Sequence, residues 1–273
     1  MAKKRVRLDI LLVEKGLAET RSEARAAIMA GLVTVNGMPS DKPGRQLDID
    51  TKVALKAPAR RFVSRGGEKI AGAHKVFQFS ISGKTALDGG ASTGGFTHFL
   101  LENGARKVFA VDVGYGQLAW SLRQDERVVV MERTNLRHLT SKELNHEKPT
   151  LAVLDLAFIS LSKIWSAVEN CCAEESEVVA LVKPQFEAGP NRIGKGGIIR
   201  DHKLHREILK EVVDEVKKTT LAPIGLTYSP IKGPKGNIEF FLYLRKGTEA
   251  TVTSEDVDAV VTAAHKELAG GKE

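Results

Sequence analysis

Apolar positions along the 273-residue chain follow two rhythms that change near residue 65. In RLDILLVEKG, residues 7–16, Leu8, Leu11 and Leu12 recur at helical spacing and Gly16 supplies a stop. Thr20-Arg21-Ser22-Glu23 reads as a capping box that opens a second helix running through Ala30 and closing on Gly31. Leu32-Val33-Thr34-Val35 then alternates as a strand does, and Asn36-Gly37 is a hairpin dipeptide. The expectation is a small α+β domain over residues 1–58. The following PARRFVSRGG mixes breakers with arginine, so residues 59–66 read as a linker.

From residue 67 onward, apolar strand-like runs alternate with helical stretches. The runs fall at 85–88, 107–112, 128–132, 151–156, 178–183, 224–228 and 239–244, with helices expected near 96–102 and over 202–218. Such alternation predicts a doubly wound, mainly parallel α/β sheet filling a second domain, 67–273.

Charge separates the same two parts. The chain carries a formal net charge of +7. Residues 1–65 hold fourteen Lys or Arg against seven Asp or Glu, and the remainder holds 27 of each sign, so the whole excess lies in the first part. A polyanion-binding module joined to a neutral domain accounts for this. Arg21 and Arg25 stand at i, i+4 spacing on one helical face, where they meet phosphates together. Arg7, Arg60, Arg61 and Arg65 complete the candidate RNA-binding set. The two cysteines, Cys171 and Cys172, are adjacent and lack metal or redox spacing, so no metal is expected. No apolar run approaches the ~20 residues that span a bilayer, and no apolar segment follows the basic start. The expected setting is the cytoplasm, away from any membrane.

The segment from RLDILLVEKGLAETRSEARAAIMAGLVTVNG to the strand near Val53 resembles the RNA-binding module named after ribosomal protein S-four. That resemblance implies a structured RNA partner, gripped through shape and phosphates.

In TALDGGASTGGFTHFL, Asp88 ends a strand and Gly89, Gly90, Gly94 and Gly95 precede a helix. Glycines there let the backbone turn sharply and approach a ligand at the carboxyl edge of the sheet. The dinucleotide fingerprint G-x-G-x-x-G fails in register, and Asp88 would repel a pyrophosphate. An acidic group suits a cationic amino-acid moiety such as the ammonium of S-adenosylmethionine. Gly89 to Phe96, comprising Ala91, Ser92 and Thr93 with the glycines, form the candidate turn. Asp112, ending the next strand, is placed for ribose hydroxyls, and Asn135 is expected beside the adenosine; either could equally form a turn.

Four ionisable residues stand at diagnostic points: Lys69 after the linker, Asp155 ending LAVLDL, Lys183 ending VVALVK and Glu239 opening EFFLYL. A lysine acting as a base must lose its proton first, which burial or a neighbouring cation favours and nearby carboxylates oppose. The sequence leaves open which prevails. The strings SRGGEK, LDGGASTGGF, DVGYGQL, ERTN, DLAFISL, LVKPQFEAG, GKGGIIRD and GNIEFF, in this order behind the S-four-like module, resemble the TlyA/hemolysin A family of ribosomal RNA 2′-O-methyltransferases. The resemblance implies a Rossmann-like class I methyltransferase domain using S-adenosylmethionine. It also implies a tetrad of Lys69, Asp155, Lys183 and Glu239 with Lys183 as the catalytic lysine, and a cytidine 2′-hydroxyl in ribosomal RNA, free or in a subunit, as target. Phe62 stands where related linkers often carry Trp, and Ala157 where Ser commonly precedes the Phe. The loop GPNRIGKGGIIRD, 189–201, carries Arg192, Lys195 and Arg200 and reads as a lid over RNA phosphates or a plain flexible loop.

Three other classes compete. A membrane-damaging hemolysin lacks a spanning run, and an aromatic content of 5% provides no interfacial belt. A non-catalytic ribosome-binding factor would not need the intact glycine turn with four charges. An oxidoreductase is disfavoured by the failed dinucleotide register.

Overall fold

The computed structural model describes residues 5–18, 20–29, 31–55, 61–194 and 196–269. The chain divides into two compact units, Met1–Arg61 and Phe62–Glu273.

In the first unit β1 (Arg5–Arg7) leads directly into α1 (Leu8–Glu14), followed by α2 (Arg21–Met29), β2 (Val33–Val35), β3 (Met38–Pro39), β4 (Gln46–Asp48) and β5 (Val53–Leu55). Thr20 Oγ1 accepts the Glu23 amide at 3.1 Å, closing one half of the expected capping box. The Asn36-Gly37 turn joins β2 to β3. The short strand β1, which takes Arg7 out of the helical reading of residues 7–16, pairs antiparallel with β4; three residues are too few to show a period. Leu8, Leu11, Leu12, Ala24, Ile28, Val33, Val35 and Val53 close a single apolar core.

The second unit runs α3 (Gly66–Phe77), β6 (Thr85–Gly89), α4 (Gly95–Glu102), β7 (Lys107–Val111), α5 (Trp120–Arg123), β8 (Val128–Met131), β9 (Leu151–Leu154), α6 (Trp165–Cys171), β10 (Glu177–Val182), α7 (Pro184–Glu187), α8 (His202–Val216), β11 (Leu221–Tyr228), β12 (Phe240–Lys246) and α9 (Ser254–Ala269). Its strands form one seven-stranded sheet in the order β11-β12-β10-β9-β6-β7-β8. Pairings from β10 through β8 are parallel, whereas β12 is antiparallel to both β10 and β11. This is the mainly parallel, doubly wound sheet that the sequence predicts.

Both faces of the sheet are covered, which is why its strands read as continuous apolar runs. Ala152 and Leu154 of β9, with Val178, Ala180 and Val182 of β10, meet α6, α8 and α9 on one face. Leu151, Val153, Val179 and Leu181 turn to the other face and meet α3 and α4. From β6 the chain steps outward through β7 to β8 and then returns to β9 on the other side of β6, so the strand order reverses between β6 and β9. A crevice opens there at the carboxyl ends of the strands.

The linker expectation for residues 59–66 needs correction. Residues 59 and 60, and the expected domain end at 58, lie outside the described residues. Phe62, however, is 4% exposed and belongs to the second unit, with its ring edge-on to His98 at 5.7 Å and to Phe99 at 5.9 Å. The Val63 amide donates to His98 Nδ1 at 3.1 Å, and α3 already begins at Gly66. Breaker residues mark irregular backbone, and here that backbone carries an aromatic anchor seated on α4. Phe62→Ala is expected to lower the stability of the second unit by about 3 kcal/mol in urea unfolding, as for a buried ring rather than a linker position.

Candidate active site

Topology brings the four charged residues together. Strands β9 and β10 are adjacent and parallel, so the residues just past their ends, Asp155 and Lys183, emerge at one edge of the sheet. Strand β12 runs the other way, with Phe240 opposite Val182, so the residue just before it, Glu239, reaches the same edge. Lys69 arrives from the first turn of α3.

Lys183 Nζ lies 2.6 Å from Asp155 Oδ1. Lys69 Nζ lies 2.6 Å from Glu239 Oε2 and 4.0 Å from Asp155 Oδ2. Side-chain exposure falls from 20% at Asp155 and 12% at Lys183 to 8% at Lys69 and 1% at Glu239. Two ammonium groups thus balance two carboxylates where water is scarce, the condition under which buried charge is tolerated. The contacts are close but off-axis, leaving Asp155 Oδ1 and both Glu239 oxygens without an aligned hydrogen bond. Glu239 needs a glycine opposite, since a Cβ on Gly233 would stand 2.3 Å from its Oε1. Lys183 Nζ also lies 5.9 Å from the centre of the Phe186 ring.

Asp155 simultaneously lines a cavity of about 360 Å³ in the crevice. Of the expected cofactor residues, Gly90, Ser92, Asp112 and Asn135 lie on its wall. Gly90 has a φ of +85° and a Cβ there would come 2.5 Å from the Asp155 carbonyl oxygen, so only glycine lets the turn pass this close. Asp112 accepts the Gly114 amide on Oδ1 at 2.7 Å and the Ser92 amide on Oδ2 at 2.8 Å, drawing the loops after β6 and β7 together. The Asn135 side chain accepts the Arg137 amide at 3.1 Å, so it forms a turn as well as lining the cavity. The other expected residues do not reach this wall. Asp88, Gly89, Ala91, Gly94, Gly95 and Phe96 are buried beneath the turn, and Thr93 faces solvent.

Sequence reasoning missed the opposite wall, Leu156, Ala157, Phe158, Ile159 and Ile164, together with Val111, Val113, Gln117, Thr134 and Leu136. The string DLAFISL carried the signal, since it directly follows Asp155. Phe158 is 91% exposed with a φ of +63°.

Asp88 departs from a direct role in meeting an ammonium group. It is fully buried, Oδ2 accepts the Thr97 hydroxyl at 2.6 Å, and Oδ1 has no hydrogen-bond partner. Burial, opposed by the Thr97 hydrogen bond and reinforced by the charge of Asp155, pushes its carboxyl up to about 7. A cation held near the turn would relieve that penalty. A cavity of this size, with apolar walls for a flat ring, the Asp112 carboxylate, and this unsatisfied acid beneath the turn, fits a nucleoside that carries positive charge. Among the described residues no acidic, histidine or cysteine cluster could hold a metal ion.

The arginine candidates separate. Arg7 and Arg21 are both paired with Asp9. Arg25, Arg61 and Arg65 are exposed, Arg65 donating to the Lys232 carbonyl at 3.0 Å; Arg60 lies outside the described residues. In the 189–201 loop, Lys195 also lies outside them. Arg192 is not poised over phosphates, because Glu211 of α8 engages both its terminal nitrogens at 2.8 and 2.5 Å. Asn237 clasps the same loop, accepting the Ile199 amide and donating to the Gly197 carbonyl, each at 2.9 Å.

The FtsJ-like methyltransferase family matches residues 62–246, and the S4 domain matches residues 6–53. YqxC of Bacillus subtilis, provisionally named an rRNA methyltransferase, is 48% identical over 98% of this chain and 97% of its own length. The Mycobacterium tuberculosis 16S/23S rRNA (cytidine-2′-O)-methyltransferase TlyA is 42% identical over 97% of this chain and 98% of its own. A solved Streptococcus thermophilus structure, provisionally described as a hemolysin, superposes with a TM-score of 0.79 at 43% identity and covers 98% of both chains.

Asp88 yields a test by pH. Its folded-state carboxyl titrates near 7, above its ordinary 3.8, so its contribution to stability is complete below about 4 and is lost as pH rises through about 7. Urea unfolding of the ligand-free protein between those values is expected to show falling stability, and Asp88→Asn to flatten that slope. An unchanged slope in Asp88→Asn would assign the titration elsewhere.

Proposed function

This chain belongs to the FtsJ-like methyltransferases that carry an S4 domain, the TlyA/hemolysin A family, and from that premise we propose that Lys183 is the base of its methyl-transfer site. The reaction is transfer of a methyl group from S-adenosylmethionine to a cytidine 2′-hydroxyl of ribosomal RNA. The observation that carries the assignment is the double position of Asp155, on the cavity wall and 2.6 Å from Lys183 Nζ.

S-adenosylmethionine supplies an electrophilic methyl group on a sulfonium. Gly90, Ser92, Asp112 and Asn135 would hold its nucleoside, and Asp88, from beneath the turn, would favour its positive charge. The protein's own task is then to place one hydroxyl in line with the methyl carbon and take up its proton, with no metal required. Lys183 Nζ receives that proton. Asp155 orients the amine beforehand and stabilises the ammonium afterwards, while Lys69 and Glu239 fix Asp155 from the buried side. The choice of these four residues, and of Lys183 among them, is what the family resemblance implies; their distances and burial support it.

RNA capture is assigned to residues 1–58 through Arg7, Arg21 and Arg25, with Arg60, Arg61 and Arg65 along the chain into the catalytic domain. The substrate is met either as free ribosomal RNA or within a ribosomal subunit, and the place of action is the cytoplasm. The FtsJ-like domain favours methyl transfer over a membrane-damaging role, and no helix among the described residues is long and apolar enough to cross a membrane.

Incubation with methyl-labelled S-adenosylmethionine and ribosomal RNA is expected to label ribose, and a 2′-deoxy target nucleotide to abolish labelling; label persisting on that substrate would mean base chemistry. Lys183→Ala is expected to lower kcat by about 10²- to 10⁴-fold while RNA binding is retained. Arg21→Glu combined with Arg25→Glu should instead weaken RNA binding, with a shallower dependence on salt. Full activity in Lys183→Ala would remove the base assignment.

A further inference from the structure

The first unit buries one carboxylate completely. Asp9 sits in the first turn of α1 among Leu8, Leu11 and Leu12, with no exposed surface. Its Oδ1 accepts Arg7 Nε at 3.0 Å, and its Oδ2 accepts both Arg7 Nη2 and Arg21 Nε, each at 3.0 Å. The Asp9 backbone is itself held, its amide donating to the Pro43 carbonyl at 3.1 Å and that of Leu8 to the Arg45 carbonyl at 2.8 Å. Arg7 closes β1 and Arg21, twelve residues beyond Asp9, opens α2, so one carboxylate joins both elements.

We propose that Asp9 is a positioning residue for RNA recognition, its carboxylate locking the Arg7 and Arg21 guanidinium groups into one fixed pair that accepts backbone phosphates of a defined spacing. The inference rests on the reading of residues 1–58 as an RNA-capture module and deepens it.

Hydrogen-bond capacity supports the assignment. A guanidinium has five N–H donors. Arg7 commits Nε and one Nη2 hydrogen to Asp9, and Arg21 commits Nε alone, so Nη1 of Arg7 and both terminal nitrogens of Arg21 keep donors for a ligand. Their side chains are 38% and 55% exposed. Two positive charges against one negative leave the pair cationic, as a phosphate site must be. The Arg7 guanidinium, outweighing burial and aided by Arg21, holds the Asp9 carboxyl down at about 2, so the clamp is intact at neutral pH.

Stability alone does not explain the arrangement. Burying a carboxylate is costly, and an apolar side chain of similar size commonly serves a core as well or better. What an apolar residue cannot do is hold two planar guanidinium groups in register. Free arginines attract any polyanion and are ordered only on binding, whereas a pre-ordered pair selects among backbone geometries.

The test compares binding of the full chain to purified bacterial ribosomal subunits with binding to random-sequence duplex RNA. In Asp9→Asn, which adds one net positive charge, affinity for random RNA is expected to hold or rise. The ratio favouring ribosomal subunits should fall about tenfold, the cost of ordering two long side chains on binding. Arg7→Lys with Arg21→Lys, which keeps both charges and removes the fork, should cause the same loss, and adding Asp9→Asn to it should change nothing further. A parallel fall in both affinities, an unchanged ratio, or an additive effect in the triple variant would overturn the proposal. Thermal melts check folding; if Asp9→Asn does not fold, an unchanged ratio in the double lysine variant is itself contrary. Arg7→Ala with Arg21→Ala separates the underlying reading, because binding unaffected by that pair would remove RNA capture by these residues, whereas a loss there without an effect of Asp9→Asn removes only the clamp.

Discussion

Asp155 faces two lysine ammonium groups, 2.6 Å from Lys183 and 4.0 Å from Lys69, in a position where only a fifth of its side chain meets solvent. Removing either lysine would leave uncompensated charge in a poorly solvated crevice, and so would removing Asp155 itself. Much of the second unit follows from keeping these groups apart from water yet close to one another. Parallel β9 and β10 deliver two of them, α3 delivers the third, and the glycine at 233 leaves room for the fourth.

Two carboxylates only one strand apart are treated in opposite ways. Asp155 is neutralised by its neighbours, whereas Asp88, at the end of β6, has a hydroxyl for company and one oxygen with no hydrogen bond. The charge on Asp155 also raises the proton affinity of Asp88. One acid on the crevice wall thus has its charge already balanced, and another, buried beneath the turn, awaits a cation. This division suits a site that must both bind a positively charged cofactor and manage the proton of a hydroxyl.

Much of this was legible in the sequence because strand ends announce themselves. LAVLDL, VVALVK and EFFLYL each place a charge at the boundary of a continuous apolar run, and two-sided burial of a parallel sheet produces such runs. That these boundaries converge depended on the family resemblance, since spacing does not reveal strand order. The wall of Leu156, Ala157, Phe158, Ile159 and Ile164 was missed because most of it lies outside regular helix or strand, close to the turn at Gly90 only through the pairing of β6 with β9. Phe62 was misplaced in a linker because glycine and arginine around it describe local backbone, while its burial depends on α4, more than thirty residues away. In the first unit, charge counting found the arginines, but Asp9 registered only as one acid among seven.

The antiparallel setting of β12 decides when the site exists. Asp155 and Lys183 follow their strands, while Glu239 precedes its own and is positioned by the insertion of that strand between β10 and β11. During synthesis, a nascent chain emerging from amino to carboxyl terminus therefore displays the RNA-capture module and three of the four charges before the last strand is available. Until β12 has emerged and taken its place between β10 and β11, such a chain carries its S4 module without the fourth charge of the tetrad.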